Sequence, residues 1–140
     1  MRPGEYNNIP KLKKTIGVGV ERALNAVGEF IQGEAQDRVP IDTGALQTSL
    51  DYGVNMERQD VRIGTNIEYG PYVEFGTGKY AKNGKGRKTP WFFEDESGDW
   101  HKTVGQKPQP YLRPAFDDNK DRVKLLFKQQ IADELKKVIK

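Results

Sequence analysis

Apolar residues recur at steps of three and four from Ile9 to Val39: Ile9, Leu12, Ile16, Val20, Ala23 and Leu24, Val27, Phe30 and Ile31, Ala35. That period predicts one long amphipathic helix. Gly17, Gly19, Gly28 and Gly33 weaken it, each by about 1 kcal/mol relative to alanine where exposed. The GVGV segment reads either as a bend or as a site of close packing. Pro40 ends the helix, because a residue before proline is pushed out of the α region. From Leu50 the period drops to two: Leu50, Tyr52, Val54 and Met56 alternate with Asp51, Gly53 and Asn55, and Val61 and Ile63 resume the alternation after a turn in NMERQD. An antiparallel hairpin with one buried face follows.

Tyr69 to Phe75 is bounded by glycines and carries Tyr69, Tyr72, Val73 and Phe75, which predicts one or two helical turns with Pro71 near the start. WFFEDESGDWHKTV predicts a second hairpin with Glu96-Ser97-Gly98-Asp99 at its tip and Trp91, Phe93 and Trp100 turned inward. KPQPYLRP is extended by its prolines. Beyond it Phe116, Val123, Leu126 and Phe127, Ile131, Leu135, Val138 and Ile139 predict a second long helix over 115–139. Asp117 and Asp118 in its first turn and Lys136, Lys137 and Lys140 in its last would match the helix dipole. The expected architecture is α+β: a single domain over 1–140, with long N- and C-terminal helices packed on a small, mostly antiparallel sheet.

Composition narrows this picture. With 140 residues there is room for one modest core. The absence of cysteine removes disulfides, a thiolate nucleophile and Cys-ligated zinc from consideration. No apolar run approaches the roughly 20 residues of a membrane span, and MRPGEYNNIPKLKK has no apolar signal core, so no membrane partner is expected. A net charge of +3 is too small to diagnose nucleic-acid binding, but its distribution is informative. Residues 76–89 carry five cations (Lys79, Lys82, Lys85, Arg87 and Lys88) and no anion. Glu94 to Asp99 carries four anions and no cation. Adjacent blocks of opposite sign suit contacts between complementary surfaces.

Signals for chemistry are weak. His101 is the only histidine, and Asp99 is its nearest sequence candidate for an orienting partner, so a surface or packing role is expected. Asp95, Glu96 and Asp99 lack the spacing and terminal glutamate of an EF-hand loop, which leaves an acidic turn. The glycine- and lysine-rich 77–90 segment does not match the phosphate-binding loop pattern and is expected to be a flexible basic loop. No serine or threonine has a histidine in a plausible motif, so an enzyme is not expected.

VPIDTGALQTSL joins the first helix to the first strand. Asp42 or Thr43 can cap a short turn beginning at Gly44, and Leu46 and Leu50 return the chain to the core. Three blocks together carry a resemblance. Val39, Pro40, Asp42, Thr43, Gly44, Leu46 and Ser49 form the first. Tyr69, Tyr72, Val73, Glu74, Phe75, Gly76 and Thr77 form the second, and Pro108, Pro110, Tyr111, Leu112, Arg113, Pro114 and Ala115 the third. In this order they resemble a family of tailed-bacteriophage tail components, described as tail-completion, neck or head–tail joining proteins. The acidic WFFEDESGDWHK hairpin is longer than the family pattern requires.

The resemblance implies a virion structural protein of a phage or prophage, without cofactor or catalytic residue. It implies a homo-oligomeric ring, hexamer or dodecamer, at the head–tail junction, made in the host cytoplasm during assembly. Expected neighbours are head-connector and tail-tube or tail-terminator proteins, with genomic DNA passing through the ring. Glu74, among aromatics, and Arg113, between prolines, are expected to form a buried or interfacial charge pair. The basic loop and the acidic residues Asp95, Glu96 and Asp99 are expected at subunit contacts. The rival readings are a DNA-binding accessory protein using the basic 79–88 loop and a metal-dependent nuclease using the acidic hairpin.

Overall fold

The structure, a computed structural model, describes residues 9–40 and 44–139. Helix α1 runs unbroken over Ile9–Arg38 and is followed by the short α2, Gly44–Ser49. Strands β1 (Asp51–Asn55) and β2 (Asp60–Gly64) form the first hairpin, and α3 spans Gly70–Phe75. A single 3-10 turn, Gly78–Tyr80, precedes the second hairpin of β3 (Trp91–Glu94) and β4 (Trp100–Thr103). Helices α4 (Leu112–Asp117) and α5 (Lys120–Ile139) complete the chain. The class is α+β, as the alternating periods predict.

The apolar stripe of α1 is buried from its middle onward. Ala23, Leu24, Val27, Ile31, Ala35 and Val39 are all in the core, whereas Ile16 and Val18 nearer the N-terminal end are exposed. α5 lies along α1. An atom placed as Cβ on Gly19 would stand 3.4 Å from both the Ile131 Cα and the Glu134 Cβ. In the GVGV segment Gly19 is therefore a site of close helix packing, within a helix that runs on without interruption. At that crossing Glu134 is buried, and it accepts from Arg22 and from Lys137 Nζ at 3.0 Å.

The core gathers Val27, Ile31 and Ala35 of α1 and Val39 just beyond it with Leu46, Leu50, Tyr111 and Ala115. Full burial of Leu46 and Leu50 is worth about 1.5–3 kcal/mol each, enough to fix α2 and the start of β1 against α1. The first hairpin pairs Tyr52 with Ile63 and Val54 with Val61. Val61 and Ile63 pack against the core, and the Tyr52 ring covers Gly28 so closely that an added Cβ would meet it at 2.4 Å.

Three expectations are corrected. There is no single small sheet: among the described residues the strands form two separate two-stranded ladders, β1–β2 and β3–β4. Among the described residues no layer covers the second hairpin's Phe93 and Trp100, which, expected inward, are 44% and 67% exposed, whereas Trp91 is half-buried. The helix expected over 115–139 is two helices. Asn119 Nδ2 donates to the Ala115 carbonyl at 2.8 Å, taking the acceptor its own main-chain N–H would use in a continuous helix. That N–H turns instead to Phe116 O. Asp117 and Asp118 consequently lie at the end of α4 and in the link, and the acid in the first turn of α5 is Asp121. Lys136 and Lys137 do stand in its last turn, while Lys140 lies outside the described residues.

Candidate functional site

The three sequence blocks converge on Tyr111. From the first block, Leu46 packs with it in the core, and Ser49 Oγ bonds Thr65 Oγ1, tying α2 to the segment before α3. Gln36 and Gln47 exchange side-chain-to-carbonyl bonds at 3.2 and 3.0 Å, so α2 is also pinned to the end of α1. Pro40 is half-buried just beyond α1 and Gly44 opens α2; Asp42 and Thr43, the expected caps, lie outside the described residues.

From the second block comes the carboxylate of Glu74, 1% exposed on α3. Its Oε2 accepts from the main-chain N–H of Tyr111 at 2.6 Å and of Leu112 at 2.9 Å. Its Oε1 accepts from the N–H of Arg113 at 3.0 Å and from Arg113 Nε at 3.3 Å. Helix α4 has no side-chain cap of its own, so Glu74 serves as its N-cap from 37 to 39 residues away. Burial pushes the Glu74 carboxyl up, but the N–H groups of Leu112, Tyr111 and Arg113 and the Arg113 guanidinium outweigh it and hold the carboxyl below its ordinary value. The expected charge pair is present, and the main-chain donors dominate it.

The third block closes the clamp. Tyr111 OH donates to the Gly70 carbonyl at 2.8 Å, and Gln109 N–H donates to Val73 O at 2.8 Å. Burial and the nearby Glu74 charge push the Tyr111 phenol up to about 12. Pro110 and Pro114, both half-buried, bracket this segment. Tyr111 was named only as a member of the third block and not as a site residue; nothing in that block foretold a main-chain clamp.

Outward of the clamp lies a groove of about 660 Å³. It is lined by Pro71, Tyr72 and Phe75 of α3, by Gly76 to Gly78, by Ala81, Lys82, Asn83, Lys85 and Gly86 of the basic loop, and by Arg113. Tyr72 and Phe75 are 59% and 47% exposed. The Arg113 guanidinium stands 5.4 Å from the Phe75 ring centre, so one side chain joins the buried carboxylate to the open groove. The start of the basic loop is held in place: Thr77 N–H donates to Gln106 O, Lys79 N–H to Val104 O and Lys82 N–H to Phe75 O, at 2.9 to 3.0 Å. Gly78, at φ +60°, passes so near the Val104 carbonyl that no Cβ would fit. Lys79, Lys82, Lys85, Arg87 and Lys88 are all exposed.

The acidic hairpin uses one of its carboxylates internally. Asp95 Oδ1 accepts from the N–H groups of Ser97 and Asp99, and Asp95 Oδ2 bonds His101 Nε2 at 2.7 Å. The partner of His101 is thus Asp95 across the turn and not Asp99. This bond, above all, holds the Asp95 carboxyl below its ordinary value. Glu96 and Asp99 are exposed. Among the described residues no three of His, Asp or Glu are grouped to hold a metal ion, and no helix is long and apolar enough to cross a membrane.

Residues 6–76, from the start of α1 through the carboxylate and the glycine that ends α3, match the family model described as "Bacteriophage HK97-gp10, putative tail-component". The chain belongs to this family. It is a structural protein of a bacteriophage tail, and its place is the virion. The match covers the first of the three blocks that meet at Tyr111 and the second as far as Gly76; the third, Pro108 to Ala115, lies beyond it and is joined to it through Glu74. No curated protein and no solved structure matches the chain.

Proposed function

We propose that this tail component is a ring subunit at the head–tail junction, completing the tail or joining it to the head. The observation that supports the reading is membership of the tail-component family together with a surface built for contact. An apolar groove with a cationic margin and a hairpin of exposed aromatics and acids lie on one small subunit. A ring closes through a heterologous contact, in which two different surfaces of each subunit meet. The chain offers two surfaces of opposite charge for that purpose. Contiguous exposed apolar groups on a soluble chain mark contact surfaces. Ring members would pass DNA through the centre and meet head-connector proteins on one side and tail-tube or tail-terminator proteins on the other.

Electron microscopy of particles from a phage lacking this gene tests the proposal. Filled heads and separate tails are the expected result; intact, infectious virions would contradict it. A DNA-binding accessory role is the second reading, favoured by the five exposed cations of the basic loop. It requires steeply salt-dependent DNA affinity in the free protein.

A further inference from the structure

We infer that the β3–β4 hairpin of one subunit docks into the Tyr72–Phe75 groove of a second copy of this chain, an inference that rests on the ring reading. The register of the hairpin places Phe92 opposite Lys102 and Glu94 opposite Trp100, so Phe92, Glu94 and Trp100 share one face. Phe92 is 65% and Trp100 67% exposed, the two most exposed large apolar residues among those described. A single Phe or Trp buries roughly 150–250 Å² when covered, so leaving both in water forgoes a large apolar gain. An isolated two-stranded hairpin is also marginal in water and becomes stable when a third element covers it. Among the described residues no element covers Phe92 and Trp100, and none of residues 91–103 lines the groove of its own subunit.

The groove supplies what the hairpin lacks. Tyr72 and Phe75 give its lining an apolar, aromatic part, and its volume of about 660 Å³ admits an aromatic side chain with its flanking backbone. Charge decides the occupant. Lys82, Lys85 and Arg113 border the groove. Glu94 shares the face of the exposed aromatics and Glu96 and Asp99 lie in the turn beside it, while Lys102, on the same face, lies two residues further from the tip. Asp95 takes no part, because its carboxylate already holds the turn. Apolar face meets apolar lining, and anions meet cations. Because hairpin and groove are different surfaces, the contact repeats head to tail, as a ring requires.

The test uses the full chain and reads self-association by sedimentation and native mass spectrometry. Wild-type protein is expected to form closed multimers. E96K/D99K on the hairpin and K82E/K85E on the groove are each expected to weaken self-association by at least about tenfold, with the melting transition unchanged. The two variants mixed, or all four changes in one chain, restore multimers, because each reversed surface again meets its complement. As a second measurement, the cysteine-free chain carrying K82C and E96C together oxidises to a ladder of multimers, whereas neither single variant does. Wild-type multimers that are indifferent to both charge reversals contradict the hairpin–groove contact and leave the ring reading standing. Loss of DNA binding by K82E/K85E with multimers intact assigns these cations to phosphate and likewise contradicts it. A wild-type chain that neither multimerises nor cross-links contradicts both readings.

Discussion

At Glu74 a single carboxylate replaces the missing cap of a helix and joins two distant segments. Glu74→Ala strands three main-chain donors and the Arg113 guanidinium, and we expect a loss of about 3–5 kcal/mol in urea denaturation. Arg113→Ala removes one long bond to Glu74 and the guanidinium contact with the Phe75 ring from a partly exposed side chain, and should cost about 1 kcal/mol. A double-mutant cycle should give a clear coupling; purely additive losses would show that no pairing contributes. The pH dependence has a definite sign. The folded Glu74 carboxyl titrates below its ordinary value of 4.5, so its contribution is present above that pH and is lost as pH falls through the lower, folded value. Glu74→Gln should flatten this acid limb. Tyr111 acts at the other end: its folded pKa near 12 against an ordinary 10.0 means stability is full below pH 10 and declines toward pH 12. Tyr111→Phe should cost about 1 kcal/mol at neutral pH and remove the alkaline decline.

At the level of elements, the long periodic segments were legible and their joints were not. The helix in 9–39 and the hairpin at 51–64 follow from periods sustained over many residues. The division of α4 from α5 was hidden because Phe116 and Val123 keep the apolar step while one side-chain amide, Asn119, breaks the main-chain ladder. The aromatics Trp91, Phe93 and Trp100 suggested a buried face, yet burial needs a covering layer, and no local pattern says whether one exists. The Glu74–Arg113 pair could be guessed from its surroundings, but the main-chain donors that dominate it belong to a contact across 37 to 39 residues. The glycines of α1 test the packing account directly. Gly28→Ala drives a methyl into the Tyr52 ring and should destabilise by about 1–3 kcal/mol. Gly33→Ala has nothing within 4 Å of the new methyl and should stabilise by up to about 1 kcal/mol through helix propensity. Thermal melts of the two variants should therefore move in opposite directions.

On the scale of the whole molecule, an interior and an exterior have separate duties. The α1–α5 pair and the Tyr111 clamp make a rigid body, and α3 presents the groove outward from the same residues that hold Glu74. Burying the carboxylate in the clamp fixes the orientation of Tyr72 and Phe75, so internal order becomes a defined outer surface. In the proposed ring, such a subunit would act by shape and by many repeated contacts. Cryo-electron microscopy of intact virions tests this most directly. The account predicts a closed ring of copies of this chain where head meets tail, and a virion whose junction is built without them would contradict it.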